Sequence, residues 1–298
     1  MDISWEDARL FLQVAETGSV SAGARKSRVT QPTASRRLAA LESQVGEPLF
    51  VRKPSGVVLT PFGERLLAPA KAMAEAAAEL ERAAERAETS IDGTVRITAP
   101  PGFADDFCVP FSAFVREKLP GVRLEIVSSL RYLDLSRREA DLALRLERPV
   151  HPDLVSLCSL ELDVVAFAAR ALISRIPRRP KVADVPWVGW APPLDDLPPN
   201  SALARLIPGF RPSFASDDYL VQYRAAELGL GAIILGRIRH RFSREPLLVE
   251  IEVEGLPKFK SALHLVCAKS ALDVPRIRAV AELMRSALAS ARTSKTKR

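Results

Sequence analysis

Apolar residues recur at helical spacing through the first forty-five residues and predict three short helices. Each predicted helix has its own start or stop signal, such as Thr17-Gly18 after the first helix and a capping Ser19 before the second. The predicted spans are Trp5–Glu16, Val20–Ser27 and a third helix that opens after the cap Thr30 and stops at Gly46. A tight connection at Arg28-Val29 joins the second helix to the third, which is typical of a helix-turn-helix.

The third helix has one apolar side and one side without large apolar residues. Its apolar positions follow a 4, 3, 4 spacing: Ala34, Leu38, Leu41 and Val45. A helix whose remaining surface carries no large apolar side chain can enter a DNA major groove, which is about 12 Å wide. In that groove Gln and Arg pair with adenine and guanine edges, and hydroxyl groups bind phosphate or base. The predicted DNA-binding residues on this helix are Thr30, Gln31, Pro32, Thr33, Ser35, Arg36 and Arg37. The alternative is a capped surface helix that carries incidental arginines.

Two short β-patterned runs follow Gly46. The predicted strands cover residues 49–51 and 57–59, with a turn between them that carries Arg52 and Lys53 at its tip. Such a hairpin beside a recognition helix is a wing, which contacts the sugar-phosphate backbone or the minor groove. We therefore add Arg52 and Lys53 to the predicted DNA-binding residues.

A long helix is predicted from Pro61 to residue 89, capped by Thr60, and would be about 44 Å long at 1.5 Å per residue. Its apolar positions form a heptad seam of Leu66, Ala70, Met73, Ala77, Leu80, Ala84 and Ala87. Because no neighbouring segment could cover this side, we expect a dimerisation helix. A monomeric helix packed on the downstream domain is the alternative.

Positive charge is concentrated in the predicted helix-turn-helix and wing. The chain carries a net charge of +7. Eight basic and three acidic residues lie between Ser19 and Arg65, a local net charge of +5, whereas residues 1–18 and 66–90 together hold four basic and nine acidic residues. A focused cationic patch on a small helical unit is typical of a nucleic-acid-binding protein, although a solvated basic face would give the same count.

Residues 91–298 alternate between strand and helix patterns, which predicts an α/β domain with a largely parallel sheet. Predicted strands are 95–99, 123–128, 142–145, 155–160, 164–168, 232–235, 247–251 and 264–268, and predicted helices are 105–118, 134–139, 218–228 and 275–289. A second lobe begins near Leu162, and the last strand and helix return to the first lobe. The expected domains are 1–60, a linker and dimerisation helix 61–90, and a two-lobed domain 91–298, with lobe I at about 91–161 and 266–298 and lobe II at about 162–265.

The sequence lacks the features of enzymes, metalloproteins, disulfide-bonded proteins and membrane proteins. The 298 residues contain three isolated histidines, and no motif for nucleophilic catalysis, phosphate-loop binding or dinucleotide binding is present. We therefore expect no metal, no cofactor and no enzymatic activity. Three widely spaced cysteines argue against a disulfide framework, and neither a signal peptide nor a membrane-length apolar run is found, so we expect a cytoplasmic protein.

The N-terminal stretches FLQVAETGSVSAGARKSRVTQPTASRRLAALESQVGEPLFVR and GVVLTPFGERLL resemble the winged helix-turn-helix of LysR-type transcriptional regulators. In that family the helix after the TQP-like turn reads DNA and the arginine after LF contacts the backbone. By this resemblance those roles fall on Gln31, Thr33, Ser35, Arg36 and Arg52. One departure is Ser27, which stands where the family usually has an apolar residue.

The downstream stretches DLSRREADLALR and AAELGLGAIIL resemble the effector-binding domain of the same family, which is similar to periplasmic solute-binding proteins. The implied fold is a winged helix-turn-helix, a linker helix and a two-lobed α/β domain with a cleft. Gly236 departs from the family, which often has proline there. The family also implies a homodimer or homotetramer.

Candidate effector-binding residues follow from the predicted strand ends, because ligands of open α/β sheets bind beyond the carboxyl ends of strands. They are Pro100, Pro101, Ser128, Ser129, Arg145 and Ser216. Arg145 could hold the carboxylate of an organic anion, or it could instead pair with Asp141 or Glu147 at the surface. Ser216 could equally serve only as a helix cap.

These observations predict a DNA-binding transcriptional regulator whose promoter binding responds to a small molecule in the cleft. Its expected partners are double-stranded DNA, a small-molecule effector and further copies of itself. One alternative is a small-molecule-binding scaffold whose N-terminal unit makes only protein contacts. An enzyme that uses the cleft is a third hypothesis, which no catalytic residues support.

Overall fold

The structure is a computed structural model that describes residues 3–85 and 91–291. The chain forms two compact units, residues 1–87 and 88–298, and each is described by itself.

Three helices open the N-terminal unit: α1 (Trp5–Thr17), α2 (Val20–Lys26) and α3 (Gln31–Val45). The side chains of Ser4, Ser19 and Thr30 cap these helices, each accepting the backbone N–H of the residue three positions later. Left-handed glycines end α1 and α3, Gly18 with φ 63° and Gly46 with φ 81°. The three predicted helices are therefore present, with ends that differ by one residue.

The hairpin and the long helix complete this unit. The strands β1 (Phe50–Lys53) and β2 (Gly56–Leu59) pair antiparallel, so that Phe50 faces Leu59 and Lys53 faces Gly56. Both strands extend further into the predicted turn than the sequence pattern indicated. The helix α4 covers Pro61–Glu85, and the predicted residues 86–89 lie outside the described residues.

The apolar core of the N-terminal unit is formed by residues from α1, α2, α3 and α4 and by Leu49, and the hairpin packs against it except at its tip. It contains Leu10, Phe11, Val14, Ala24, Ala34, Leu38, Leu41, Leu49 and Ala70. The helices α1 and α2 approach closely at Gly23, where a Cβ atom would lie 2.4 Å from Val14 Cγ2. Any larger residue at position 23 would therefore separate the two helices.

The C-terminal unit is a mixed α/β structure. Its strands are β3 (Gly93–Ala99), β4 (Val122–Ser128), β5 (Leu142–Arg145), β6 (Leu154–Ala169), β7 (Val188–Trp190), β8 (Phe214–Ser216), β9 (Ile233–Arg237), β10 (Leu248–Ile251) and β11 (Phe259–Ala268). Its helices are α5 (Pro101–Phe103), α6 (Val109–Lys118), α7 (Arg170–Ile173), α8 (Asn200–Leu206), α9 (Tyr219–Glu227) and α10 (Pro275–Ala289). A π-helical turn, Ala104–Cys108, joins α5 to α6.

The main sheet is less parallel than predicted. Its strand order is β10-β6-β11-β5-β3-β4, with β9 also paired to β6. Only β3 with β4 and β3 with β5 are parallel pairs in this sheet, whereas β6 and β11 make antiparallel pairs with their neighbours. The two strands predicted at 155–160 and 164–168 are one strand of 16 residues, β6. This long strand and β11 run through both halves of the unit and make the sheet continuous.

Two other local predictions were wrong. The helix predicted near 134–139 is a series of turns, because Asp134 Oδ1 accepts the backbone N–H groups of Ser136 and Arg137 instead. The residue that caps α9 is Asp218, which accepts the N–H groups of Leu220 at 2.7 Å and Val221 at 3.0 Å. Ser216, the predicted cap, is the last residue of β8.

Separate apolar cores lie in the two halves of the C-terminal unit. The larger packs β3, β5 and β11 against α6 and α10 and includes Ile97, Phe111, Leu144, Leu265 and Met284. A second core packs around Trp187, Leu203 and Ile234. The predicted fold class, a winged helix-turn-helix followed by an α/β domain, is confirmed.

Candidate DNA-reading surface and effector cleft

The start of α3 is fixed by hydrogen bonds among its own polar side chains. Thr30 accepts the backbone N–H of Thr33 at 3.4 Å, and the two hydroxyl oxygens lie 2.8 Å apart. One turn further, Gln31 Nε2 donates to Ser35 Oγ at 3.3 Å. These bonds connect the polar side chains of the first turn to one another.

The opposite sides of α3 differ as the sequence pattern predicted. Ala34, Leu38 and Leu41 are buried. Gln31, Pro32 and Arg36 are exposed, and Thr33 and Ser35 are half-buried. Within the described part of the chain, Arg36 makes no hydrogen bond or ion pair. Its guanidinium is therefore available for a base edge, because guanidinium groups make bidentate bonds to guanine.

Arg37, also predicted to bind DNA, is paired within the protein. Its Nε lies 2.8 Å and its Nη2 2.7 Å from the same oxygen, Asp7 Oδ1 on α1. The other carboxylate oxygen, Asp7 Oδ2, accepts the hydroxyl of Ser4 at 2.6 Å. Arg37 thus ties α3 to α1 through this ion pair.

The Asp7 carboxyl is stabilised in its charged form. Burial raises its pKa, but the hydrogen bonds from Ser4 and Arg37 and the charge of Arg37 together lower the pKa below its ordinary value. The ion pair therefore stays formed at neutral pH. Sequence reasoning missed Asp7 because its partner lies 30 residues away along the chain.

The wing is fixed at both of its ends. At the start of β1, Glu42 Oε1 on α3 accepts the N–H of Leu49 at 2.7 Å and that of Phe50 at 3.3 Å. At the start of β2, the N–H of Val57 donates to Gly18 O at 2.8 Å. A Cβ atom on Gly56 would lie 2.3 Å from Gly18 O, so only glycine allows this close approach. The wing therefore has a set position relative to α3.

Arg52 and Lys53 are both exposed on the wing. Within the described residues neither side chain has a hydrogen-bond or ion-pair partner. Arg25 and Arg28, near the end of α2, are also exposed and without a partner in the described part of the chain. Together with Arg36, these residues form a set of five unpaired cations on the N-terminal unit. The predicted charge concentration counted Arg25 and Arg28 but did not assign them to the site.

Ser27, the departure from the family pattern, is buried with 7% of its surface exposed. Its hydroxyl donates to Gln13 Oε1 on α1 at 3.3 Å. A polar bridge thus replaces the apolar contact usual at this place. The groove-facing side of α3 is unaffected.

The predicted seam of α4 divides into two parts. Its first positions belong to the N-terminal core, because Ala70 is buried there and Leu66 packs against it. Further along, Met73 is 38% and Leu80 73% exposed, Ala84 is exposed and Ala77 is half-buried. Ala87 lies outside the described residues. The exposed apolar stripe of α4 is therefore shorter than the predicted seam and runs from Met73 to Ala84.

Five of the six predicted effector residues meet at one edge of the main sheet. Pro100 and Pro101 follow β3, Ser128 ends β4 and Arg145 ends β5. Ser129 N donates to Ala99 O at 3.0 Å, which keeps the first residue after β4 beside the end of β3. Ser216 lies instead at the end of β8, in a separate two-stranded sheet with β7.

The hydroxyl groups of the three predicted serines differ in availability. Ser129 Oγ accepts the N–H of Arg131 at 3.0 Å, and Ser216 Oγ accepts the N–H of Asp218 at 3.1 Å, so both stabilise local turns. Ser128 is exposed, and its hydroxyl has no hydrogen bond within the described residues. Of the three serines, Ser128 is the one free to bind a ligand.

Arg145 is buried, with 8% of its surface exposed. One guanidinium nitrogen donates to Leu133 O, and the guanidinium carbon lies 5.0 Å from the centre of the Tyr132 ring. Neither Asp141 nor Glu147 forms an ion pair with it in the described residues, so the predicted surface pairing is absent there. Its Nε is buried without a hydrogen-bond partner in that part of the chain, and burial lowers the pKa of the group.

The two halves of the C-terminal unit meet beside this edge. A Cβ atom on Gly102 would lie 2.8 Å from Tyr219 Cε1, so glycine allows α5 to contact the start of α9. Burial raises the pKa of Tyr219, and the neighbouring Tyr223, Asp106 and Asp105 raise it further. The Tyr219 hydroxyl therefore stays protonated at neutral pH and can donate a hydrogen bond.

A second link between the halves was not predicted. His240, in the segment between β9 and β10, has a fully buried side chain whose Nε2 lies 2.9 Å from Asp106 Oδ2 in the π-helical turn. Its Nδ1 accepts the N–H of Phe242 at 3.3 Å. Burial raises the pKa of Asp106, but the interactions with His240 outweigh this and lower it. The segment thus fastens one half of the unit to the other.

The described residues offer no metal site, activated thiol or membrane span. Among residues 3–85 and 91–291, no group of three or more His, Cys, Asp or Glu side chains could hold a metal ion. Burial raises the pKa of Cys108 and of Cys267 to about 12, and it also raises that of Cys158, so the three free thiols are not activated. None of the helices described is both long and apolar enough to cross a membrane.

Comparison with known proteins gives two family matches that together cover most of the chain. Residues 5–64 match the bacterial regulatory helix-turn-helix protein, lysR family, and residues 88–289 match the LysR substrate binding domain. These families consist of transcriptional regulators, which are not enzymes.

Individual relatives agree with these matches. The AhcY transcriptional activator HvrB of Rhodobacter capsulatus is 32% identical over 185 residues, which are 60% of this chain and 62% of HvrB. The DgdR regulator of Burkholderia cepacia is 34% identical over 46% of this chain and 47% of its own length. The chain therefore spans less than two thirds of the length of these curated relatives.

A solved structure supports the fold over the full length. Full-length OxyR from Pseudomonas aeruginosa has a TM-score of 0.62 at 17% identity and covers 99% of this chain and 100% of its own. The N-terminal family model matches the capped helices and wing described above, and the C-terminal model covers more than half of the chain. The chain belongs to the LysR family of bacterial transcriptional regulators.

Proposed function

We propose that this protein binds promoter DNA sequence-specifically through the exposed side of α3, and that a small-molecule effector bound to its C-terminal unit modulates this binding. The observation that carries the proposal is the pair of neighbouring arginines on α3. Arg37 is held by Asp7, whereas Arg36 is exposed and unpaired in the described residues. A cation left unpaired on a side without large apolar groups suits a major groove.

Base recognition and backbone binding fall on different residues. Gln31 and Arg36 would contact base edges, since Gln pairs with adenine and Arg with guanine. Thr30, Pro32, Thr33 and Ser35 would line the groove and contact phosphate through hydroxyl or backbone groups. The wing cations Arg52 and Lys53 would bind the sugar-phosphate backbone, which supplies affinity and carries no sequence information.

The effector would bind at the sheet edge formed by Pro100, Pro101, Ser128 and Ser129. This edge offers the free hydroxyl of Ser128 and the start of α5, where the N–H groups of Gly102 and Phe103 begin the helix. Those donors favour an organic anion. Arg145 would add positive charge while holding Leu133 and Tyr132 in place, and Ser216 would shape the opposite side through Asp218.

Self-association would bring two DNA-reading units together. The stripe Met73, Ala77, Leu80 and Ala84 on α4 suits a second copy of the same helix, because apolar residues spaced alternately four and three positions apart form a helix-helix seam. We propose a dimer through this stripe, with a tetramer as its further assembly. The three free thiols suit the reducing cytoplasm in which such a regulator would act.

The proposal is tested by binding of the purified full chain to fragmented genomic DNA over a series of salt concentrations. We expect discrete fragments to be enriched and the affinity to fall steeply with salt, because phosphate contacts release counterions. Equal, weak binding to all fragments would contradict sequence-specific recognition. For the effector, thermal unfolding is measured with benzoate, succinate and phosphate, with glucose and methylamine as uncharged and cationic comparisons. Stabilisation by an organic anion that is lost in Ser128→Ala supports the sheet-edge site, and no stabilisation by any anion contradicts it.

A further inference from the structure

The turn between α2 and α3 contains a residue with an unfavourable backbone conformation. Arg28 has φ 57°, in the left-handed region that non-glycine residues rarely adopt. The conformation closes the end of α2, since Val29 N donates to Ala24 O at 3.0 Å and Arg28 N donates to Arg25 O at 3.1 Å. Glycine is the usual residue at such a helix end, because it has no Cβ to clash. An arginine here therefore lowers stability relative to glycine.

No contact of the Arg28 side chain in the described part of the chain offsets this cost relative to glycine. The Arg28 side chain is exposed and has no hydrogen bond, ion pair or ring contact within residues 3–85 and 91–291. Lys26, two positions earlier, differs because its Nζ lies 3.7 Å from Glu16 Oε2. A strained residue whose side chain makes no internal contact is a candidate for use by an external partner.

The position of Arg28 indicates what that partner is. Arg28 comes two residues before Thr30, the cap of α3, so the two Cα atoms are at most about 7.6 Å apart. The N-terminus of α3 presents backbone N–H groups that suit a phosphate, and a guanidinium binds phosphate with two hydrogen bonds. A DNA backbone that approaches the start of α3 is therefore within reach of Arg28.

We propose that Arg28 is a DNA phosphate contact, and that its left-handed backbone is kept for DNA binding at the expense of stability. This inference rests on the proposed DNA-binding function and adds a residue to it. Because phosphate contacts carry no base information, Arg28 contributes affinity and leaves sequence preference to Gln31 and Arg36.

The test is the variant Arg28→Gly in the full chain, measured for thermal unfolding and for binding to a fragment that the wild type selects. Removing the strain is expected to raise the unfolding midpoint of the N-terminal unit by a few degrees, roughly 2–5 °C. Removing the guanidinium is expected to weaken DNA binding roughly tenfold and to reduce the salt slope by about 1, equally for all sequences. A more stable protein that binds DNA less tightly is a combination that a purely structural arginine would not give.

Two further variants control the experiment. Arg28→Lys keeps both the charge and the backbone strain, and should recover most of the affinity that Arg28→Gly loses without the gain in stability. Arg138 is a control for charge and backbone conformation, because it is also a left-handed arginine, with φ 58°, but is half-buried in the C-terminal unit. Arg138→Gly removes the same charge and should leave DNA affinity and salt slope unchanged.

The possible outcomes separate this inference from the proposed function. If the wild type selects no DNA, the proposed function fails. If the wild type selects DNA and Arg28→Gly binds it within twofold with an unchanged salt slope, Arg28 is not a phosphate contact. A lower unfolding midpoint in Arg28→Gly would overturn the argument from strain. An equal loss of DNA affinity in Arg138→Gly would show that the loss comes from the change in net charge and not from a phosphate contact of Arg28.

Discussion

Arg37 Nη2 on the recognition helix lies 2.7 Å from Asp7 Oδ1 on the first helix, while the neighbouring Arg36 is exposed and unpaired among the described residues. Arg37 thus holds α3 against α1, and Arg36 is the proposed DNA contact. Both side chains of the ion pair are partly shielded, with 29% of Arg37 and 24% of Asp7 exposed. The pair is therefore stronger than an exposed surface salt bridge.

The substitution Asp7→Asn should destabilise the N-terminal unit by about 1–2 kcal/mol at pH 7, because it removes a charge-assisted bond. The pKa of Asp7 is lower in the folded protein than its ordinary value of 3.8, so the folded state favours the charged form. The stabilisation is therefore full above pH 3.8 and is lost as the pH falls through the lower, folded-state pKa. Urea unfolding of wild type and variant between pH 2.5 and pH 7 would check this, and a difference that persists unchanged at pH 2.5 would refute the ion-pair origin.

Glu42 should matter to DNA binding without touching DNA, because its carboxylate fixes the start of the wing. Glu42→Ala leaves the N–H groups of Leu49 and Phe50 without their acceptor, which should cost about 1–3 kcal/mol of unfolding free energy. It should also weaken DNA binding and lower the salt slope, since the wing cations lose their position. Glu42→Gln keeps an acceptor and should retain most of both properties. If both variants bind DNA like the wild type, the wing does not depend on this contact.

The exposed stripe of α4 should be the dimer contact. Met73→Lys and Leu80→Lys place a charge on the stripe and should weaken self-association at least tenfold, as seen by analytical ultracentrifugation over a concentration series. Ala68→Lys is the control, because residue 68 is exposed but lies about 140° around the helix from Met73. Equal sedimentation of all three variants and wild type would show that the stripe is not the contact.

His264 should make the stability of the C-terminal unit depend on pH. It faces Arg145 across the β5–β11 pair, and its Nδ1 lies 3.3 Å from Ser156 Oγ. Burial lowers its pKa below 6.5, and the charge of Arg148 lowers it further. The unfolded chain then takes up the proton more readily, so the stabilisation is full above pH 6.5 and falls as the pH drops through that value towards the folded-state pKa. His264→Gln should flatten this dependence between pH 5 and pH 7, and an unchanged profile would assign it to other groups.

Local signals in the sequence predicted much of the N-terminal unit. The helix ends are set by residues directly beside them, namely the caps Ser19 and Thr30 and the stop signals Gly18 and Gly46. The cap Ser4 was not predicted. The exposed side of α3 followed from the same 3.6-residue period. Arg37 lies about 100° around α3 from Arg36. Its partner Asp7 could not be found from the sequence, because the contact depends on the packing of α1 against α3.

The C-terminal unit was predicted less well, because its sheet depends on contacts between distant residues. The apolar pattern of β6 is interrupted near Asp163. Because of this interruption, the sequence analysis predicted two strands in place of one. In the structure, the polar Asp163 is accommodated by Arg237, whose Nη2 lies 2.6 Å from Asp163 Oδ2. The antiparallel pairing of β6 with β11 likewise joins residues about a hundred positions apart, such as Leu160 and Leu263. The link between His240 and Asp106 was unpredictable for the same reason.

The contrast between Arg36 and Arg37 gives the most direct test of the account. Wild type, Arg36→Ala and Arg37→Ala would each be used to select duplexes from a random-sequence library, and the selected pools would be sequenced. We predict that Arg36→Ala changes the preferred base at one position of the site, whereas Arg37→Ala lowers stability and keeps the wild-type preference. An unchanged preference in Arg36→Ala would contradict the claim that this side of α3 reads DNA.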